Sequence, residues 1–338
     1  MTSDESLRAL ATFARSLVLD IAVPVLSAGY GSLIRQLADD TALGGLARNQ
    51  GIAAVLSSDF IAGWKKDNHE LATSAEKDAE RLMAHAVKQR FPDHSVLGEE
   101  HGYQPGNETR WVFDPIDGTS AMVRTAIAEA FGLGLQKPNP SFGITVGLVR
   151  DDRAILGIVT ELCARDGALH VSGIWIGADG MPVTLDGQAS TVPCASVSLA
   201  DARLACTVPS IMFNTPEKWS GFQALEEATK TCLIDQNCVG FMGLLDGRTD
   251  IAYEADLAYH DVAALVPILQ NAGLTVTDGN GSSMRFPESA IGHEFTILAA
   301  LPELHALALQ VIRKGVAAER NSFEVGSKRP DGHVQKFG

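Results

Sequence analysis

Asp114-Pro115-Ile116-Asp117-Gly118-Thr119-Ser120 constrains this chain more than any other stretch. Trp111-Val112-Phe113 reads as a short buried strand that delivers Asp114 to its end. Pro115 lacks an N–H donor, so the strand is expected to stop there. Two carboxylates on either side of that turn suit a hard divalent cation, which takes clustered oxygen ligands. The Gly-Thr-Ser turn opening a helix offers backbone N–H groups to a phosphate. One segment thus reads as a metal site beside a phosphate site. The plain alternative is an acidic strand-to-turn junction, because Asp-Pro and Asp-Gly are ordinary turn dipeptides.

Other segments favour the first reading. Val96-Leu97-Gly98 is a second strand ending in acid, at Glu99-Glu100. Neighbouring strand ends in an α/β sheet converge, and ligands gather there. Downstream, Asp250–Glu254 reads as a strand, and Leu257–Asp261 leads into a helix that closes near Gly273. Asp261, in the first turn, also suits a helix cap. Pro267 inside that helix predicts a kink or an irregular turn.

Together these pieces resemble the inositol monophosphatase family of metal-dependent phosphatases. The resemblance is carried by Gly98-Glu99-Glu100, by Asp114 to Thr119, by Asp261-Val262-Ala263-Ala264 with Gly273 following, and by Thr73 to Glu80. It covers most of the chain from about Lys65 to Leu309. Phe213-Asn214-Thr215-Pro216-Glu217 and Asp261 to Ile268 look most like the bacterial histidinol-phosphatase branch. The resemblance implies two or three Mg²⁺ ions per site. Glu99, Asp114 and the Ile116 carbonyl would hold the first, and Asp114, Asp117 and Asp261 the second. Gly118, Thr119 and Ser120 would bind phosphate, and Thr119 would also orient the attacking water. Glu99, Thr119 and Glu76 are the catalytic candidates. Glu254 and Asn237 are candidates for substrate contact, Glu254 against a solvent-facing strand-end alternative.

The chain departs from the family at three places. Glu76 stands where an Asp is usual, and Thr73-x-x-Glu76 also reads as a capping box opening a helix. His260 replaces the usual Trp and is expected to pack or support rather than ligate. Asn237-Cys238-Val239-Gly240 falls where histidinol phosphatases tend to have Asp-Cys-Tyr-Gly. The implied activity is hydrolysis of a small phosphorylated metabolite, such as histidinol phosphate or an inositol or sugar phosphate. A non-catalytic homologue that binds metal or a phosphorylated ligand is the alternative.

The 338 residues are 46% hydrophobic and carry a net charge of −14, which disfavours nucleic acid and anionic membranes as partners. An acidic enzyme of an anionic substrate makes sense if bound cations reverse the field locally. No run of about 18 consecutive apolar residues occurs, and the first residues carry acids rather than the bases of a secretory signal. The five cysteines lack zinc spacing and read as free thiols in a reducing cytoplasm. A homodimer is implied by the resemblance alone.

The expected fold is α/β, with an α+β first half and an α/β second half. The resemblance gives it as a layered α-β-α-β-α sandwich. Residues 1–195 form the metal- and phosphate-binding part, with helices over 5–62 that include an added one near 43–57. Residues 196–320 alternate strand and helix, predicting a mostly parallel sheet. Residues 321–338 read as a polar tail. Ala121 to Phe142 is longer than the family usually carries and reads either as an insert near the substrate or, equally, as a surface embellishment or dimer contact.

Overall fold

Alternate residues of one strand enter two different cores, and this sets the architecture. In β3 (Asn107–Asp117), Trp111 and Phe113 join a cluster with the N-terminal helices, whereas Val112 joins a cluster on the opposite face. A strand buried on both faces needs an unbroken apolar run, which is how Trp111-Val112-Phe113 reads. The computed structural model describes residues 3–57, 69–134, 141–190 and 198–327.

The N-terminal layer contains α1 (Ser3–Ser16), a π-helical turn (Leu17–Ala22), α2 (Val23–Asp39), α3 (Thr41–Ser57) and α4 (His69–Arg90). The added helix is α3. Over Ser6–Asp39 the helical stretch is long and apolar enough to cross a membrane by length and composition, despite lacking an uninterrupted apolar run. Here it buries Leu17, Val18, Leu26, Leu33 and Leu37 in the core under the first sheet. α4 starts at His69, so Thr73 lies inside the helix and does not open it. The capping-box reading is therefore corrected. A local four-residue pattern cannot exclude a start one turn earlier.

The first sheet has eight strands in the order β2-β1-β3-β4-β5-β6-β7-β8. It comprises β1 (His94–Gly98), β2 (Gly102–Gln104), β3, β4 (Gly143–Arg150), β5 (Arg153–Arg165), β6 (Ala168–Ala178) and the short β7 (Thr184–Leu185) and β8 (Gln188–Ala189). Only β1 and β3 pair in parallel, with Gly98 opposite Phe113. The expected β4–β5 hairpin is present, turning at Asp151 and Asp152, both with positive φ.

The second sheet runs β10-β9-β11-β13-β12, from β9 (Arg203–Ala205), β10 (Thr231–Leu233), β11 (Ile251–Leu257), β12 (Thr275–Thr277) and β13 (Phe295–Ala300). It is mixed rather than mostly parallel: β9 is parallel to both neighbours, but β13 is antiparallel to β11 and β12. The β12 and β13 strands are joined by a chain that returns without a covering helix, so no parallel crossover forms.

Between the sheets lie α8 (Asn237–Asp246), α9 (Tyr259–Ala263) and α10 (Leu265–Asn271), sharing one core with both. The break at Ala264 is the irregular turn expected of Pro267, whose ring nitrogen cannot donate to the carbonyl four residues back. The broken helix lies almost on the sheet backbone. A Cβ on Gly157 would sit 1.9 Å from the Ala264 oxygen, so glycine alone allows this approach. Outside the second sheet, α7 (Pro216–Ala228) and α11 (Pro302–Ser327) pack on Leu204, Ile251, Leu298 and Ala300. A four-residue helix, α6 (Pro209–Met212), precedes α7. The result is an α-β-α-β-α sandwich.

Two further expectations change. The tail from Asn321 begins as helix, since α11 continues to Ser327; residues 328–338 lie outside those described. The expected insert is mostly α5 (Thr119–Phe131), whose Ala121, Met122, Ala126 and Ile127 are core residues. Gly132 closes that helix in the left-handed conformation. Lys137 to Pro140 lie outside the described residues.

Candidate active site

Parallel pairing of β1 with β3 sets Glu99 and Asp114 side by side, each one residue beyond the Gly98–Phe113 pair. The Glu99 N–H donates to the Phe113 carbonyl at 3.3 Å, which continues the ladder to the acid. Beyond Asp114 the strand does not end. Asp114 pairs with Thr145 and Asp117 with Gly143, so β3 carries one extra residue there. In a regular strand, positions three apart face opposite sides. The bulge at Pro115-Ile116 re-aims the chain, so that Asp114 and Asp117 face one point. Pro115 is tolerated because it sits in the bulge, which corrects the expectation that it stops the strand.

Gly118 then turns the chain at φ 97°, and its carbonyl takes the N–H groups of Ala121 and Met122. A side chain there would strike the Asn237 amide at 2.6 Å and the Ser141 carbonyl at 2.9 Å, so the turn requires glycine twice over. Thr119 and Ser120 occupy the first turn of α5, where N–H groups have no partner within the helix. The Thr119 hydroxyl lies 3.1 Å from the Ile116 carbonyl and 3.4 and 3.5 Å from the two oxygens of Glu76. Asp261 comes from the middle layer, at the start of α9. Its Oδ2 accepts from the Ala258 N–H at 2.7 Å, so it also caps that helix.

Glu99, Asp114, Ile116, Asp117, Thr119 and Asp261 line one cavity of ≈ 220 Å³. Gly118, Ser120 and Asn237 line it too. Among the described residues, two sets of potential ligand atoms lie within 4.8 Å of one another: Asp114, Asp117 and Asp261, and Glu99, Asp114 and His260. Asp114 belongs to both sets, is 2% exposed, and has a buried Oδ1 with no hydrogen-bond partner.

This crowding is electrostatically costly. Burial, then the charges of Glu99, Asp117 and Asp261, push Asp114 well above the ordinary carboxylate range. Burial and then Asp261 raise Asp117 to about 7. Burial, followed by Glu99 and Glu100, raises Glu76 to about 9. Asp261 is raised by burial, with His260 and the Ala258 N–H pulling the other way. Carboxylates this close cannot all ionise without a compensating cation. The orphaned Asp114 oxygen and the all-carboxylate set of Asp114, Asp117 and Asp261 fit hard divalent ions. Glu99, Asp114 and the Ile116 carbonyl could hold one ion, and Asp114, Asp117 and Asp261 another.

Three candidates sit behind the cavity wall or form it. Glu76 is 1% exposed and reaches the cavity only through Thr119. Glu254 is buried rather than solvent-facing; it accepts from the Thr207 hydroxyl at 2.7 Å and lies near the Cys206 thiol. Thr207 lines the cavity, whereas Glu254 stands behind it, raised to about 8 mainly by burial. Asn237 donates to the Ser141 carbonyl at 2.5 Å and forms the wall behind Gly118.

The sequence reading missed several participants. Glu80, 1% exposed, accepts the backbone N–H groups of Glu100 and His101 at 2.9 and 2.8 Å, pinning the loop that carries Glu99. Its spacing of four from Glu76 put both on one face of α4, which was the available signal. Arg124, ion-paired with Asp235, lines the cavity one turn beyond Ser120. Cys163, Cys206, Cys232 and Cys238 are free thiols, and Cys194 lies outside the described residues.

Over 252 residues the chain is 29% identical to the bifunctional phosphatase IMPL2 of Arabidopsis thaliana, covering 72% of this chain and 66%, just under two thirds, of that protein. It is 27% identical over 214 residues to the histidinol-phosphatase of Chlorobaculum parvum, covering 62% of this chain and 73% of that one. An inositol monophosphatase from Zymomonas mobilis superposes with a TM-score of 0.60 at 24% identity, over 86% of this chain and 96% of the other, a likeness of fold. Residues 18–317 match the description of one protein family across both sheets and all three helical layers, and the chain belongs to that family, the inositol monophosphatase family.

Proposed function

We propose that this protein is a divalent-cation-dependent phosphomonoesterase acting on a small phosphorylated metabolite. The observation that carries the reading is the double membership of Asp114: one buried carboxylate, with an unpartnered oxygen, shared by two cation-sized groups of ligand atoms. Family membership and the names of the relatives, phosphatases among them, support the reaction class. Mg²⁺ is the expected ion at the Asp114–Asp117–Asp261 position, where every donor is a carboxylate oxygen.

Bound cations would neutralise phosphoryl oxygens, lower the pKa of a bound water and stabilise the leaving oxygen. The chain supplies the rest. Backbone N–H groups of Thr119 and Ser120 at the start of α5 hold the phosphate. The Thr119 hydroxyl has one proton to give, to Glu76 or to the Ile116 carbonyl, and its lone pairs can then accept from the attacking water. Thr119 thereby orients the water, and Glu76 fixes the direction of the Thr119 hydroxyl. Thr207, held by Glu254, and the Arg124–Asp235 pair border the space for the rest of the substrate. A histidinol, inositol or sugar phosphate fits a polar border of this kind.

A phosphate-release screen over histidinol phosphate, inositol phosphate, sugar phosphates and a nucleotide, with Mg²⁺ and with excess chelator, tests the reading. Turnover of at least one ester that stops reversibly on chelation is expected. Full activity in chelator overturns the metal dependence. Binding of metal and ligand without turnover would favour a non-catalytic homologue.

A further inference from the structure

We propose that His260 is a ligand of the Glu99–Asp114 cation and biases that position toward a first-row transition ion over Mg²⁺. This rests on the two-cation reading of the site and adds a donor to it. The juxtaposition is direct: a ring nitrogen of His260, a carboxylate oxygen of Glu99 and one of Asp114 lie within 4.8 Å of one another. Ligands around one ion, with bonds of about 2.1 Å, lie at most about 4.2 Å apart, so a small contraction completes the set.

An acidic cluster alone would not establish such a ligand. The second observation is the buried Oδ1 of Asp114, which has no hydrogen-bond partner in a 2%-exposed residue. An orphaned carboxylate oxygen in that setting calls for a cation.

His260 is also held in place. Its backbone carbonyl accepts from the Thr145 hydroxyl at 3.2 Å, tying the start of α9 to β4. Its Nε2 lies 3.4 Å from Asp261 Oδ1, at the edge of an ion-pair contact. The side chain is 16% exposed, so it sits mostly out of water at the rim of the acid cluster.

The consequence is asymmetric. Mg²⁺ is hard and takes oxygen donors, whereas imidazole favours first-row transition ions. The Asp114–Asp117–Asp261 position is all oxygen and keeps its Mg²⁺ preference. The Glu99–Asp114–His260 position gains a nitrogen and loses it. Mn²⁺ is the weakest binder of the transition series at a given site, so a preference already visible with Mn²⁺ is a demanding test.

The test is equilibrium binding of Mn²⁺ to the full chain, followed by electron paramagnetic resonance with Mg²⁺ as competitor. Wild type, His260→Phe and Asp114→Asn are compared, each checked for folding by circular dichroism. Pulsed measurements on bound Mn²⁺ should show nitrogen coupling in wild type that disappears in His260→Phe. His260→Phe should weaken the tighter Mn²⁺ site by about tenfold or more while shifting Mg²⁺ affinity much less. Mn²⁺ that binds in an Asp114-dependent way without nitrogen coupling overturns the proposal and leaves the two-cation reading standing. Coupling that survives in His260→Phe, or equal losses for both ions, overturns it as well. Binding indifferent to Asp114→Asn overturns both.

Discussion

At the scale of single residues, Asp114 and Glu76 carry opposite kinds of evidence. Asp114 is buried among acids, so a neutral amide should relieve repulsion while removing a bridging ligand. Asp114→Asn is expected to lower phosphate release by at least about a hundredfold, because even groups outside the ligand shell cost up to that much. Its melting temperature in chelator should match or exceed wild type. A variant that unfolds in chelator would show that the carboxylate holds the fold rather than a cation. Glu76 meets Thr119 at 3.4–3.5 Å and lies inside α4, so it has no cap to lose. Glu76→Asp should stay within about tenfold of wild-type turnover, with the shorter side chain restoring the family's usual acid. Glu76→Ala should lose about a hundredfold, the scale of a misdirected catalytic group. Full turnover in Glu76→Ala, measured by phosphate release under saturating Mg²⁺, would reduce Glu76 to packing.

At the scale of elements, the ligands were legible in the sequence and their convergence was not. Glu99 and Asp114 follow short apolar runs whose burial is a local property, so both strand ends could be read directly. The bulge at Pro115-Ile116 depends on register against β4, a non-local pairing, and Asp-Pro-Ile-Asp therefore read as a stop. The mixed second sheet was hidden for a similar reason. Three-residue strands such as β9, β10 and β12 carry too little periodicity to declare a direction. Contacts that link α4 to the β1 loop were equally out of reach. Glu80 gives the clearest consequence of that contact. Its carboxylate accepts two backbone N–H groups beside Glu99, so Glu80→Gln should leave one donor poorly met. A stability loss of about 1–3 kcal/mol is expected from chemical denaturation, because a buried donor left unpaired costs that much. Divalent-cation affinity should fall by about tenfold as Glu99 loses its support. If affinity holds while stability drops, the loop is placed by the β1–β3 ladder alone.

At the scale of the whole molecule, the acid cluster couples folding to pH and to metal. A chain of net charge −14 concentrates several of its acids in one cavity between two sheets, where charge is least tolerated. Without cations, the folded state keeps protons that the unfolded chain gives up. Glu76 moves from 4.5 to about 9 on folding, and Asp117 from 3.8 to about 7. A carboxyl raised on folding stabilises fully below its unfolded pKa, and that contribution is lost as pH rises through the folded value. Metal-free protein should therefore lose stability from this cluster between about pH 4 and 9. His94 and His305 act in the opposite sense, since burial lowers both and favours the fold as pH rises past 6.5. The raw slope of melting temperature with pH mixes the two. The difference between chelated and Mg²⁺-saturated protein isolates the cluster, because the histidines are common to both. Bound cations take the place of the protons, so the stabilisation by Mg²⁺ should grow steadily from pH 5 to pH 9, with proton release on binding seen as buffer-dependent heat. In Asp114→Asn the growth should be much reduced. A metal-induced shift in melting temperature that is constant across this range would mean that the acids are already ionised in the free protein and that the cluster does not need a cation.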